Sequence, residues 1–180
     1  ADAQLDTDKL DGDRWGAVLG SGIGGVSSLA EQQVVLHERG ARRVSPFLVP
    51  KLMLNSAPGL LAIRFGFSGP NFAVASACAS SNHAIGLAYQ TIALGQADGM
   101  LTGGSEAALG PIAFAGFCQA RALSRRNDKP AAASRPFDVN RDGFVFGEGA
   151  GLLVLEELEH ARRRGAPIYA EVLGFGMSDD

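Results

Sequence analysis

The chain has 180 residues, 46% hydrophobic and 19% charged, with a formal net charge of −3 and 24 glycines, about 13% where ~7% is usual. High apolar content, no G-X-Y period and no run of five like charges exclude a disordered, collagen-like or coiled-coil chain, and bulk electrostatics give no reason to expect nucleic-acid binding. No apolar stretch approaches the ~18 residues of a membrane-spanning helix, so no membrane insertion is expected, and two cysteines without a signal peptide predict a reducing compartment, the cytoplasm.

Trp15 to Leu19 is a short apolar run ending in Gly20-Ser21-Gly22-Ile23-Gly24-Gly25, which reads as a buried strand feeding a glycine loop. Val26 to Arg39 reads as a helix stopped by Gly40. Pro46 and Pro50 bracket a turn, and Leu52 to Phe65 reads as an apolar helix kinked by Pro58 and Gly59. Phe72 to Ala75 is a short β-type run, and Ser76-Ala77-Cys78-Ala79-Ser80-Ser81 leads into a small-residue helix from about Ala79 to Leu94, closed by Gly95. Asp98 to Thr102 predicts a buried strand ending in Gly103-Gly104, Pro111 to Arg121 a short helix, and Ser124 to Arg135 a polar loop. Gly151 to Leu155 predicts a strand, Glu156 to Arg164 a helix stopped by Gly165, and Ile168 to Phe175 a final strand. Apolar strands alternating with helices predict an α/β protein with a sheet covered on both faces.

Cys78 is the leading candidate for chemistry. It lies between a predicted strand and the first turn of a helix, where unpaired N–H groups and the helix dipole favour a thiolate. Its own N–H is placed to face an oxyanion forming on an acyl group bound to its sulfur. The small neighbours Ala77, Ala79, Ser80 and Ser81 suit a sharp strand-to-helix turn. A structural cysteine acting as a small hydrophobe is the alternative, and the local pattern leaves both open. Cys118, inside an apolar helix, reads as core filling. His83 lies five positions after Cys78, about 140° around a helix, so it reads as a helix-buried histidine rather than a partner base. His37 and His160 read as surface residues near helix ends. No His/Cys/Asp/Glu spacing resembles a metal site. The glycine loop fails as a dinucleotide fingerprint, because G-x-G-x-G-G is out of register and no acidic residue follows at the required distance. Arg42-Arg43 and Arg121 with Arg125-Arg126 are short basic clusters that read either as solvated groups or as docking points for an acidic partner.

Taken together, Val74-Ala75-Ser76-Ala77-Cys78-Ala79-Ser80-Ser81-Asn82-His83-Ala84-Ile85-Gly86, Gly103-Gly104-Ser105-Glu106-Ala107, Arg121-Ala122-Leu123-Ser124, Ser134-Arg135-Pro136-Phe137-Asp138, Arg141-Asp142-Gly143-Phe144-Val145 and Gly147-Glu148-Gly149-Ala150-Gly151 closely resemble β-ketoacyl-[acyl-carrier-protein] synthases, above all the elongating type II enzymes of bacterial fatty-acid synthesis. The resemblance runs in the family's order from about Trp15 to Asp180. It implies a thiolase-like fold of alternating α and β layers, working as a homodimer. Residues 1–165 then form part of the N-terminal half carrying the nucleophile, and residues 166–180 the first strand of the C-terminal half. Cys78 matches the family nucleophile, which takes an acyl chain from the phosphopantetheine arm of an acyl carrier protein. Malonyl-carrier protein then loses CO₂ and the carbanion attacks that thioester. No resident cofactor is implied, since the phosphopantetheine arrives on the carrier. The two histidines, the lysine and the phenylalanine gate that complete the reaction belong to the family's C-terminal half, outside these residues.

Ile23 and Phe117 match positions lining the acyl pocket, and Leu48 matches one that reaches the neighbouring subunit's pocket. Arg42, Arg43 and Arg121 match basic positions that meet the acidic carrier, and His83 a helix histidine not used as a base. Ala79, where many relatives have Ser or Thr, and Pro58 depart from the family pattern. Two further readings remain: a non-catalytic partner of the chain-length-factor type, which the retained Cys78 argues against, and a thiolase-like enzyme using coenzyme A thioesters. The absent initiator Met and the end at Asp180 predict an internal fragment, without condensation activity by itself.

Overall fold

The computed structural model describes residues 2–178; Ala1, Asp179 and Asp180, the chain ends named above, lie outside the described residues. The helices are α1 (Val26–Arg39), α2 (Leu48–Leu52), α3 (Ser56–Phe65), α4 (Ser80–Ala93), α5 (Pro111–Gln119) and α6 (Leu158–Arg163). The strands are β1 (Trp15–Gly20), β2 (Asn71–Val74), β3 (Gly99–Glu106) and β4 (Gly149–Glu156). Two compact units divide the chain, Ala1–Gly24, Met53–Glu106 and Ala150–Asp180 in one, Gly25–Leu52 and Ala107–Gly149 in the other.

The first unit is built on a sheet in the order β2-β1-β3-β4. β1 is parallel to both of its neighbours, with Ala17 opposite Asn71 on one side and Leu101 on the other. The Glu157 N–H donates to the Asp98 carbonyl at 2.8 Å, just before β3 begins, whereas Gly103 late in β3 lies against Gly151 early in β4. β4 therefore runs antiparallel to β3. All six residues of β1 are buried, as a strand with helices over both faces must be. Trp15, Ala17 and Leu19 pack with Phe67 and Leu101 against Ala57, Leu61, Ala62 and Phe65, the α3 side, while Val18 and Met100 pack with Ala84 and Ala88 of α4. The two-residue alternation of β1 thus serves two cores. Small residues on α4 let it approach closely, and at Gly86 the ring of Phe175 occupies the place a side chain would take.

The second unit holds α1, α2 and α5 with the long loop after α5. Gln32 of α1 accepts from the Ser45 N–H at 2.7 Å. Phe114 and Phe117 of α5 meet Phe144 and Phe146 edge-on, with centroids 5.1 to 5.2 Å apart, the arrangement that ring quadrupoles favour.

The α/β class and the doubly covered sheet match the expectation, and α1 ends where Gly40 takes a φ of +79°. Other elements differ. The apolar stretch from Leu52 to Phe65 is not one kinked helix: it breaks at Met53–Asn55, and Pro58 sits in the first turn of α3, where a missing N–H costs no intrahelical bond. The loop from Ser124 to Arg135 contains a 3₁₀ turn at Pro130–Ala132. Residues 168–175 form no strand. Their alternation is strand-like, but a strand exists only when a neighbour receives its N–H and C=O groups. Instead the segment lies over α4, with Phe175 on Gly86 and the Tyr89 hydroxyl donating to the Leu173 carbonyl at 3.3 Å. Cys118 is exposed rather than core filling. His160 is not a surface group: its side chain is 25% exposed and its Nδ1 lies 2.6 Å from Glu156 Oε1.

Candidate active site

Cys78 occupies the 3₁₀ turn Ala77–Ala79, between β2 and α4. The turn is built by its serines. Ser80 Oγ accepts from the Ser76 N–H at 2.8 Å and donates to the Ala77 carbonyl at 2.7 Å, while the Ala79 N–H donates to the Ser76 carbonyl at 3.0 Å. These bonds hold Ala77 at φ +49°, a left-handed conformation that costs a non-glycine residue about 1–3 kcal/mol and is kept where the surroundings over-determine it. The Cys78 side chain is exposed. Its N–H belongs to the first turn, where no intrahelical acceptor exists. β1 and β3 support the turn from below: a Cβ on Gly20 would collide with the Ser80 carbonyl, and one on Gly104 with Ser81 Oγ. The C-terminal ends of three parallel strands therefore converge on the cysteine, the place where α/β sheets present their chemistry.

His83 turns away from Cys78 and is half-buried rather than buried in the helix packing as expected. Its Nδ1 lies 2.6 Å from Ser76 Oγ, and its ring meets Phe175 edge-on at 6.2 Å. Ile23 follows β1 in the glycine loop of the same unit and is 37% exposed. Leu48 opens α2 and Phe117 lies in α5, both half-buried in the second unit. Arg42, Arg43 and Arg121 are exposed in that unit, Arg42 and Arg43 in the 3₁₀ turn Ala41–Arg43 and Arg121 just past α5 at φ +55°. Among the described residues no cluster of three or more His, Cys, Asp and Glu could hold a metal ion, and no helix is long and apolar enough to cross a membrane.

Two acidic residues matter more than sequence reasoning suggested. Glu106, at the end of β3, holds the glycine loop through Ser21, Gly22 and Ile23. Asp142 accepts from the Arg125 N–H at 2.9 Å and the Ser124 hydroxyl at 2.7 Å, with Arg135 Nη2 at 3.4 Å. Both stand inside the quoted motifs; the signal that singles out Glu106 is a carboxylate at the C-terminal end of a buried strand beside a glycine loop.

A family model, Beta-ketoacyl synthase, N-terminal domain, matches residues 1–161. A 3-oxoacyl-[acyl-carrier-protein] synthase 2 of Synechocystis sp. is 50% identical over 179 residues, covering 99% of this chain and 43% of that protein. A β-ketoacyl synthase from Burkholderia phymatum superposes with a TM-score of 0.80 at 40% identity, over 89% of this chain and 39% of that one. A type II polyketide-synthase ketosynthase, solved with its acyl-carrier protein and bound to a hexaketide, gives a TM-score of 0.85 at 34% identity, over 92% of this chain and 42% of that one. The chain spans about two-fifths of the length of the curated relatives it matches.

Proposed function

The chain belongs to the β-ketoacyl synthase family, and on that premise we propose that it is part of an elongating 3-oxoacyl-[acyl-carrier-protein] synthase, an acyltransferase that lengthens fatty acyl chains by two carbons. One observation carries the reading: a cysteine exposed on a turn strained at Ala77, at the joint C-terminal ends of parallel strands. The Cys78 thiolate attacks the thioester carbonyl of an acyl-phosphopantetheine. The oxyanion, facing the Cys78 N–H, collapses to an acyl-cysteine, and the carrier's sulfur leaves as thiolate and takes up the proton that the Cys78 thiol released on ionising. Malonyl-carrier protein loses CO₂, and the electron pair of the broken C–C bond attacks the acyl-cysteine. Cys78 departs as thiolate, leaving the 3-oxoacyl chain on the carrier.

In this reading Ile23 and Phe117 take the family's acyl-pocket positions, Leu48 takes the position that reaches the neighbouring subunit's pocket, and Arg42, Arg43 and Arg121 dock the acidic carrier. A related ketosynthase solved with its carrier protein supports that partnership. Residues 1–165 belong to the N-terminal half and residues 166–180 open the C-terminal half of a cytoplasmic homodimer that needs no metal or resident cofactor.

Treating the full-length protein with an acyl-carrier thioester should place the acyl group on Cys78, detected by peptide mass spectrometry, and Cys78→Ala should abolish both acylation and condensation. Acylation at another residue, or turnover surviving Cys78→Ala, would overturn the assignment. Activity appearing only with a second synthase subunit would instead point to a chain-length-factor role. Equal use of coenzyme A and carrier thioesters would point to a thiolase-like enzyme.

A further inference from the structure

The loop that follows β1 hangs on a single carboxylate. The Gly22 and Ile23 N–H groups donate to Glu106 Oε2 at 2.6 and 3.0 Å, and the Ser21 hydroxyl donates to Oε1 at 3.1 Å. Ser21 Oγ in turn accepts from the Gly24 N–H at 3.2 Å. Hydrogen bonds to an ionised acceptor are shorter and roughly twice as strong as neutral ones. Glu106 is itself anchored, because β3 is paired with β1 up to Gly104 opposite Gly20. The loop also reaches the cysteine's turn: a Cβ on Gly22 would lie 3.1 Å from Glu106 Oε2 and 3.6 Å from the Ala77 carbonyl oxygen. Gly22 is therefore held between the carboxylate and the residue preceding Cys78. The next residue, Ile23, presents an aliphatic side chain that is 37% exposed.

We propose that Glu106 is a positioning residue: it clamps the Ser21–Gly24 loop, and Ile23 with it, against the nucleophile turn, and so sets which acyl chain lengths Cys78 accepts. The proposal rests on the reading of Cys78 as the acylated nucleophile. Without the carboxylate, two adjacent N–H groups and a hydroxyl lose their acceptor, and the apolar side chain they carry moves relative to the thiol. Displacements of about 1 Å can change rates by about a hundredfold. Glutamine should preserve the clamp. Its amide oxygen can accept from Gly22 and Ile23, and its amino group faces Ser21 Oγ, a hydroxyl that can accept as well as donate.

The test uses the full-length protein as wild type, Glu106→Ala, Glu106→Gln and Ser21→Ala. Cys78 acylation by short, medium and long acyl-carrier thioesters is followed by intact mass. Alkylation by iodoacetamide reports thiol reactivity independently of chain length. Expected is a Glu106→Ala protein alkylated at close to the wild-type rate whose ratio of best to worst chain length falls about tenfold, with Glu106→Gln keeping the ratio and Ser21→Ala lowering it less. An unchanged ratio in folded Glu106→Ala, or Glu106→Gln as impaired as Glu106→Ala, overturns the clamp. If Glu106→Ala does not fold, Ser21→Ala decides, and an unchanged ratio there overturns it equally. A wild-type protein that is alkylated at Cys78 but acylated by no thioester overturns the nucleophile reading, and the clamp with it, before any variant is compared.

Discussion

Asp142 ties together a long loop beside the backbone bridge of Leu123 with Phe144. The Arg125 N–H and the Ser124 hydroxyl, with Arg135 beyond them, outweigh the cost of partial burial and hold its carboxyl down to about 2. A folded value below the unfolded one means that this contribution is fully present above the ordinary carboxylate range, and is lost as pH falls through the folded value. Hydrogen exchange should therefore find the Arg125 amide protected to a constant degree above about pH 4 and progressively less toward about pH 2. Asp142→Ala, which leaves the Arg125 N–H and the Ser124 hydroxyl without their acceptor, should lack that protection at neutral pH as well; an amide equally protected in the variant would refute the tie. At this scale the sequence was informative about the turn that bears Cys78, because small residues around it and the match of Val74 to Gly86 mark a strand-to-helix turn. It placed Glu106 in a motif without showing what the carboxylate holds. The bonds from Gly22 and Ile23 span 84 and 83 residues, and no local pattern encodes a contact at that separation.

Among the elements, α6 closes the first unit through a buried ion cluster. Glu156 has a side chain only 6% exposed and receives Arg164 at both oxygens, each at 2.7 Å, with His160 Nδ1 at 2.6 Å. Burial pushes its carboxyl up, but Arg164 and then His160 prevail and hold it below the usual range. Arg164 also reaches the carbonyls of Ala3 and Gln4, at 3.1 and 3.3 Å. Removing one partner of such a pair strands a charge, so Arg164→Met should cost about 3 kcal/mol in equilibrium denaturation. The double variant Glu156→Gln/Arg164→Met should recover most of that loss, since nothing charged is left behind; a double variant as unstable as the single one would show that packing, not charge, is at stake. The two ends of α1 illustrate what was legible, and this cluster, with His160 read as a surface residue, what was not. Gly40 stops α1 through a local rule, so its bounds read off directly. The unpaired segment 168–175 did not, because alternation records a strand's side chains and not the presence of a neighbour.

For the molecule as a whole, the sheet of the first unit ends on one side in β4, whose residues Gly149 to Leu153 are exposed. Leu152 and Leu153 are 44% and 51% exposed, and Leu173 beyond α6 is 82% exposed. An apolar edge of this kind is a template for pairing with another chain. The 180-residue chain studied alone should self-associate at micromolar concentration in light scattering, whereas a monodisperse monomer would contradict this. A different consequence follows from the seating of Gly20 and Gly104 on Ser80 and Ser81. The turn that bears the thiol is complete only once β3 has docked beside β1, and β3 leaves the ribosome after Cys78 does. Until then the turn has its own bonds among Ser76, Ala77 and Ser80 but not the strand ends that seat it. Non-local pairings of this sort form late and slowly, so the seat of the turn around Cys78 is finished only when β3 has paired with β1.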